Sequence, residues 1–317
     1  MRIARLPQEN PRTQGAARHR WYQRHSPNHL RAVEASVERA LAARAPEAPG
    51  AAVIFGAGAC TEVPLRRLAS VCESVLLVDV DVAGMARARD ELPTSLRPRV
   101  NLLQADLTGS VSAALAADLR AQPWADLVAL SGPSGAAPLD AAAACLDRCP
   151  VPDPPRIPEL APASFGLVMS SLVLTQLFSL PLLDVFDTLA IYAPDAADLR
   201  DAHPQYHEAA MHFRARIALA HLSLIGALLA PGGCGLLLTD VTGYLLPARG
   251  GQHGGSAPES LPVLPAEALN LPGDVARRFE LVERMRTWRW LVSEPDATTP
   301  GRAYDVASLI FRLPPIL

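Results

Sequence analysis

The sequence predicts an α/β fold: a doubly wound, mostly parallel seven-stranded sheet, with an antiparallel C-terminal strand and a helical N-terminal extension. Three observations predict it. From residue 51 onward short apolar runs alternate with helical stretches, which makes neighbouring strands parallel and puts helices on both faces. The first run, Ala51 to Phe55, opens into Gly56-Ala57-Gly58, a strand-to-helix turn. Near the C-terminus, Thr287 to Ser293 and Ala303 to Leu313 are strand-like runs with no room between them for a crossover helix. They should pair as an antiparallel hairpin at the sheet's end.

Taken in order, residues 1–25 carry Arg2, Arg5, Arg12, Arg18, Arg20 and Arg24 against the single acid Glu9, with no hydrophobic period. Ser26-Pro27 reads as an N-cap followed by proline at the first helical position. Leu30, Val33, Val37 and Leu41 then recur at helical spacing. A Pro/Gly break near Ala45-Pro46 separates this tail and helix, 1–46, from the main domain, 47–317. After the glycine turn come a helix from about Pro64, a strand from Ser74 to Val80, a helix over 82–91 and a strand from Val100 to Gln104. The stretch 107–164 is longer than a crossover needs and reads as a helix plus an inserted loop ending in Pro150, Pro152, Pro154, Pro155 and Pro158. Phe165 to Ser171 and Trp124 to Ser131 compete for the fourth strand. A second insert spans 177–208, and Phe213, Ile217, Leu224 and Leu228 mark a long helix stopping at Pro231-Gly232-Gly233. Gly235 to Val241 is the fifth strand.

Composition removes whole mechanisms. All 29 basic residues are arginine and none is lysine. Without lysine there is no P-loop contact to nucleotide phosphates, no Schiff base for pyridoxal phosphate or lyase chemistry and no kinase β3 lysine. A bias so complete points to genomic GC pressure more than to arginine-specific work. Five cysteines in a long chain point to reduced thiols, and no apolar leader precedes the tail, so the expected location is cytoplasmic. The apolar stretches 167–183 and 217–238 are interrupted by polar residues, so no membrane span is expected.

The chemistry-bearing unit is Val53 to Glu62, with Asp79 twenty-one residues after Gly58. Glycines at such a turn let a ligand lie against backbone, and an acid closing the next strand can accept both hydroxyls of a ribose. Such turns serve NAD(P), FAD and S-adenosylmethionine alike, and some are only structural. The third glycine of a dinucleotide fingerprint is absent, since Thr61 stands there. Asp106 closes the third strand, and Leu228-Leu229-Ala230-Pro231-Gly232-Gly233 leads into strand five.

With that turn and the reversed last strand, residues 50–317 resemble the class I, Rossmann-like S-adenosylmethionine-dependent methyltransferases. The resemblance implies S-adenosyl-L-methionine as cofactor, with Gly56, Ala57 and Gly58 under its methionine half. It implies Asp79 on the ribose, Val80 beside the adenine, Asp106 with Leu107 at the adenine edge, and Ser170 and Ser171 between sulfonium and substrate. Two positions depart from the family pattern: Ile54 stands where an acid is usual, and Gly166 where Asp is frequent. The implied reaction is in-line methyl transfer to an O or N of a small molecule. A nicotinamide-dependent oxidoreductase and a non-catalytic cofactor-binding module stay open beside it.

A general base is needed only for an acceptor protonated at neutral pH. The candidates are His203, Tyr206 and His207, with His212 nearby, at the start of the long helix, and Asp240 at the end of strand five. The alternative for the histidines is a solvated helix start. Tyr22 and His25 are further candidates for covering the cleft. His207-Glu208 to His212 is one residue too long for the zinc-protease helix, and Cys145 and Cys149 lack a third cysteine, so no metal is expected. His221 reads as a packed core histidine, and Trp288 and Trp290 as packing residues on one strand face. The Arg-rich tail is too short and aromatic-poor to predict nucleic-acid binding. The expected partner is a small-molecule methyl acceptor, with a homodimer left open.

Overall fold

Alternation along each strand decides how the sheet is clothed. In β1 (Ala51–Phe55), Ala52 and Ile54 join one hydrophobic cluster while Val53 and Phe55 join the other, all fully buried. The computed structural model describes residues 20–131, 136–248, 258–264 and 269–314. The first 19 residues, most of the Arg-rich tail, lie outside that set.

Beyond β1 the chain runs through α2 (Leu65–Val71), β2 (Ser74–Asp79), α3 (Val82–Asp90) and β3 (Val100–Gln104). The helix before β1, α1 (Pro27–Ala43), starts after Ser26 with proline in its first turn, as its sequence predicts, but the Ser26 hydroxyl makes no cap hydrogen bond and goes to the Leu291 carbonyl instead. The stretch 107–164 holds α4 (Val111–Arg120), α5 (Trp124–Ser131) and α6 (Ala136–Arg148) before its proline-rich end. Then come β4 (Phe165–Ser171), α7 (Leu174–Tyr192), α8 (Pro194–Leu199), α9 (Pro204–Leu228) and β5 (Leu229–Leu246). The C-terminal part contains β6 (Glu259–Pro262), α10 (Leu271–Arg278), β7 (Glu280–Leu281), β8 (Arg286–Ser293) and β9 (Gly301–Arg312).

Strands β1 to β5 are parallel in the order β3-β2-β1-β4-β5, and β9 runs antiparallel beside β5. β7 and β8 both pair antiparallel with β9 and act as one interrupted edge strand, so the path across the sheet has the expected seven positions. β6 adds to the far end of β5. The predicted hairpin is present, with Trp288 opposite Val306 and Trp290 opposite Tyr304. One sheet face carries Val33 and Val37 of α1, Leu68 of α2 and Met85 of α3. The other carries Leu115 of α4, Leu139 of α6, Phe178 of α7 and Phe213 of α9.

The fourth strand is Phe165–Ser171, and the rival segment is a helix. A central parallel strand is buried on both faces. All seven residues of β4 meet that condition, whereas α5 buries only Trp124 and leaves Leu130 exposed. Gly166 allows a close crossing: a Cβ there would lie 2.0 Å from the Pro49 carbonyl oxygen. An aspartate at this position would collide with that backbone. The Pro231-Gly232-Gly233 turn bulges out between Leu229 and Cys234, which face Phe165 and Leu167.

α7 is the one described helix long and apolar enough to cross a membrane by length and composition. One face of it, with Leu174, Leu177, Phe178, Pro181, Val185 and Leu189, is buried in the protein, while Leu180, Leu183 and Ile191 are exposed. All five cysteines are free and buried, and the described residues contain no His/Cys/Asp/Glu group arranged to hold a metal.

Candidate active site

Strand order reverses at β1, which has β2 on one side and β4 on the other. In open parallel sheets this opens a crevice beyond the carboxyl ends of the strands. Here it holds a cleft of about 490 Å³, walled by the glycine turn, the ends of β2 and β4, Asp240 of β5, and the β8–β9 hairpin.

The turn is built by backbone conformation that only glycine adopts freely. Gly56 has φ +69° and Gly58 φ +45°. A Cβ on Gly56 would lie 2.5 Å from Val173 Cβ and 2.8 Å from the Ser171 carbonyl oxygen. At Gly58 the nearest atom to such a Cβ is Asp79 Oδ2 at 3.9 Å, so the space above this residue is open. Asp79 ties the turn to β2: Gly58 N–H donates to Oδ2 at 2.9 Å and Asp81 N–H to Oδ1 at 2.9 Å. Asp81 then caps α3 through Gly84 N–H at 2.8 Å. With one backbone donor on each oxygen, the Asp79 carboxylate keeps acceptor capacity toward the cleft, which it lines. Ile54 is fully buried below the turn and offers the cleft nothing. Glu62, four residues after the turn, accepts from Thr61 Oγ1 at 2.5 Å, and both residues line the cleft.

The N-terminal segment closes one end. Residues 20–25 form a short helix that places Tyr22 in the cleft wall, 2% exposed and edge-on to Trp290 at 5.5 Å. Ser26 Oγ donates to the Leu291 carbonyl at 2.5 Å, and His25 pairs with Glu294 at 3.0 Å. His29 stacks on Trp290 at 4.5 Å and accepts from Trp288 Nε1 through Nδ1 at 3.0 Å. Burial drives the His29 pKa down to about 3, so this ring is neutral. The Trp290 indole N–H is itself buried without a partner on a residue that lines the cleft.

β5 does not stop near Val241 as its sequence suggested but runs on to Leu246; Asp240 lies within it, two residues past the last β4–β5 pair, lines the cleft and accepts from Thr175 Oγ1 at 2.6 Å. Desolvation raises its pKa, against the opposing pull of that hydrogen bond. Tyr304 lines the same region, and its pKa is raised by burial first and by the Asp240 charge second.

Period-2 alternation separates the two predicted serines. Ser171 lines the cleft, whereas Ser170 points into the core and bonds His221 Nε2 at 2.8 Å. His221 is 1% exposed with its pKa lowered by burial to about 4, the packed histidine its sequence context predicts. Asp106 turns its carboxylate onto Thr108 N–H at 2.8 Å, Thr108 Oγ1 at 2.7 Å and Ser110 N–H at 3.0 Å. It serves as the cap of its own loop. Val80 is 65% exposed beside Asp79, and Leu107 is buried.

The histidine cluster at the start of α9 does not reach this cleft. His203 is the α9 N-cap, accepting from Tyr206 N–H through Nδ1 at 3.3 Å, with Nε2 3.4 Å from Asp140. Tyr206 and His207 line a second cleft of about 330 Å³ between α7 and α9, and His212 faces α6. Sequence reasoning named no ligand role for Glu62, Gln176, Trp290 or Tyr304 in the first cleft, nor for Arg200 and Arg214 in the second. Only Thr61-Glu62, adjoining the glycine turn, carried a local signal.

No family model and no curated protein matches the chain. Among solved structures, it is similar to a DhpI complex with SAH, at 14% identity over 96% of this chain and 94% of that one, with TM-score 0.36. It is also similar to a SAM-dependent methyltransferase from Aquifex aeolicus (10% identity, 94% and 98% covered, TM-score 0.35). A third is a methyltransferase from Bacillus halodurans, described as putative (9% identity, 89% and 99% covered, TM-score 0.41).

Proposed function

We propose that the chain is an S-adenosylmethionine-dependent methyltransferase of the cytoplasm, acting on an O or N of a small molecule. The observation that carries this is the charge of the cleft. Glu62, Asp79, Asp81 and Asp240 line it against the single guanidinium of Arg87, among the described residues. A dinucleotide pyrophosphate would meet repulsion there, whereas a ligand with a ribose, an ammonium and a sulfonium is matched by it. The open space over Gly58 and the acceptor capacity of Asp79 fit the same ligand.

When bound, S-adenosylmethionine supplies an activated sulfonium methyl group. Gly56 to Gly58 present backbone under its methionine half, with Glu62 taking the ammonium that Ile54 cannot. Asp79 accepts the ribose hydroxyls, and Val80 and Leu107 flank the adenine, with the Asp106 loop beside them. Ser171 and Gln176 line the path to the acceptor, while Tyr22, Trp290 and Tyr304 keep water out. Asp240 is the base nearest that path. Its raised pKa makes it a better proton acceptor from a hydroxyl or ammonium than an ordinary carboxylate.

Titration with S-adenosylhomocysteine tests the reading. Ligand at 100 times Kd should add about 2.7 kcal/mol of stability and raise Tm. Asp79→Ala should weaken this binding roughly tenfold to hundredfold, the worth of hydrogen bonds to a charged group. Stabilisation by NAD(P) instead, or by neither ligand, would sink the proposal.

A further inference from the structure

The first cleft changes chemistry along its length. The glycine turn and Asp79 stand at β1 and β2, whereas Asp240 of β5, Tyr304 of β9, and Trp290 and Val292 of β8 stand toward the other edge of the sheet. The residues of that far end adjoin one another. Tyr304 is opposite Trp290 in the hairpin, with ring centroids 6.0 Å apart, and it feels the Asp240 charge. Trp290 is steadied by His29 stacked at 4.5 Å and by Tyr22 edge-on at 5.5 Å. Both Trp290 and Tyr304 remain half-buried, so part of each ring is open.

Charge at this end is unbalanced. Asp240 has the Thr175 hydroxyl as a donor and no ion pair among the described residues. Arg87, the guanidinium that lines the cleft, belongs to α3 after β2. Arg302 acts on Tyr304 more weakly than Asp240 does, and it does not line the cleft. A desolvated carboxylate needs a counter-ion, and aromatic rings attract a cation placed over them. The two together suit one ligand class, an organic ammonium ion. The indole N–H of Trp290 lies in the ring plane, so it does not oppose a cation above the ring.

We propose that the Asp240, Tyr304 and Trp290 end of the cleft binds the ammonium group of a small alkylamine. Resting on the function proposed above, that amine is the methyl acceptor, which narrows the acceptor atom to nitrogen. Asp240 takes one proton from the ammonium and frees the nitrogen lone pair. The nitrogen then attacks the sulfonium methyl carbon, and the N–C bond forms as the C–S bond breaks. The electron pair of that bond goes to sulfur, leaving S-adenosylhomocysteine and the methylated ammonium.

The test uses the full chain and two probes of one shape. Choline carries the ammonium of a fully methylated product, and 3,3-dimethyl-1-butanol has neutral carbon in place of its nitrogen. Ligand-observed NMR titration should show choline binding about tenfold tighter, the worth of cation–π contact together with a carboxylate. The preference should persist when S-adenosylhomocysteine saturates the other end of the cleft. Asp240→Asn should remove most of it, Trp290→Leu should reduce it, and Trp290→Phe, which keeps a ring, should retain more of it than Trp290→Leu. Circular dichroism and thermal unfolding certify that each variant is folded. Equal binding of the two probes, binding of neither, or a preference unchanged by Asp240→Asn or by Trp290→Leu overturns the proposal. So does competition between choline and S-adenosylhomocysteine, because the ammonium would then occupy the cofactor's place. S-adenosylhomocysteine is also titrated alone. Its failure to bind while the choline preference holds would remove the methyl-transfer reading and leave the ammonium site standing.

Discussion

Asp240 is a carboxylate held largely out of water with one hydroxyl donor, from Thr175, to compensate it. Its folded-state pKa is raised, so the native protein holds that proton more tightly than the unfolded chain does. Stability from this group is therefore present at low pH and is lost as pH rises from the unfolded value through the folded one. Asp240→Asn keeps an acceptor for Thr175 and removes the charge. In urea titrations of the ligand-free protein, the variant should gain stability over wild type at pH 7, and the gain should shrink as pH falls toward 3. A gain independent of pH would show that the carboxylate is not strained by burial. Asp79 was placed by the sequence because it ends β2 at the sheet's carboxyl edge, where topology opens the crevice, whereas β5 runs on past Asp240 to Leu246. Ser170 was not separable from Ser171, because the face each presents depends on which helices cover the sheet.

At the level of elements, two connections control the first cleft. The glycine turn is the tighter: Gly56→Ala brings a methyl against Val173 and the Ser171 carbonyl at a positive φ. Thermal or urea unfolding should report a loss of roughly 1–3 kcal/mol, together with weaker S-adenosylhomocysteine binding. A variant with wild-type stability and affinity would mean that the turn is looser than its contacts imply. The second connection is the N-terminal strap, held to β8 by His29, Tyr22 and Ser26. His29 titrates near 3 when folded, against an ordinary value of 6.5, so the unfolded chain takes up its proton first. Its contribution is intact above about pH 6.5 and is lost as pH falls toward 3. His29→Gln retains an acceptor for Trp288 and cannot titrate. Its stability should thus fall less steeply than wild type between pH 7 and pH 4.5, followed by tryptophan fluorescence in urea. An unchanged slope would assign the acid sensitivity elsewhere, first to His221, which burial also keeps neutral. The sequence placed Tyr22 and His25 only as cleft covers of lesser weight, since a chain end has no periodicity that states where it docks.

Across the whole molecule, the reversal of strand order at β1 sets where the first cleft opens. Acids gather at the carboxyl end of β2, within β5 and beside the glycine turn. The parallel core, the antiparallel hairpin, the glycine turn and the lysine-free chemistry were determined by the sequence alone. Each is local: periodicity, glycine placement and connection length act within a few residues. The choice of Phe165–Ser171 over 124–131 as the central strand was tertiary, because burial on both faces is set by the helices that pack there. Tertiary structure also drew the helix-start histidines away from the first cleft, by using His203 as a cap and turning Tyr206 and His207 toward α7. It brought Tyr22 against Trp290 across more than 260 residues of chain, and set Arg200 and Arg214 around one space. Such groupings depend on the angles at which helices cross a sheet, and no spacing in the sequence encodes those angles.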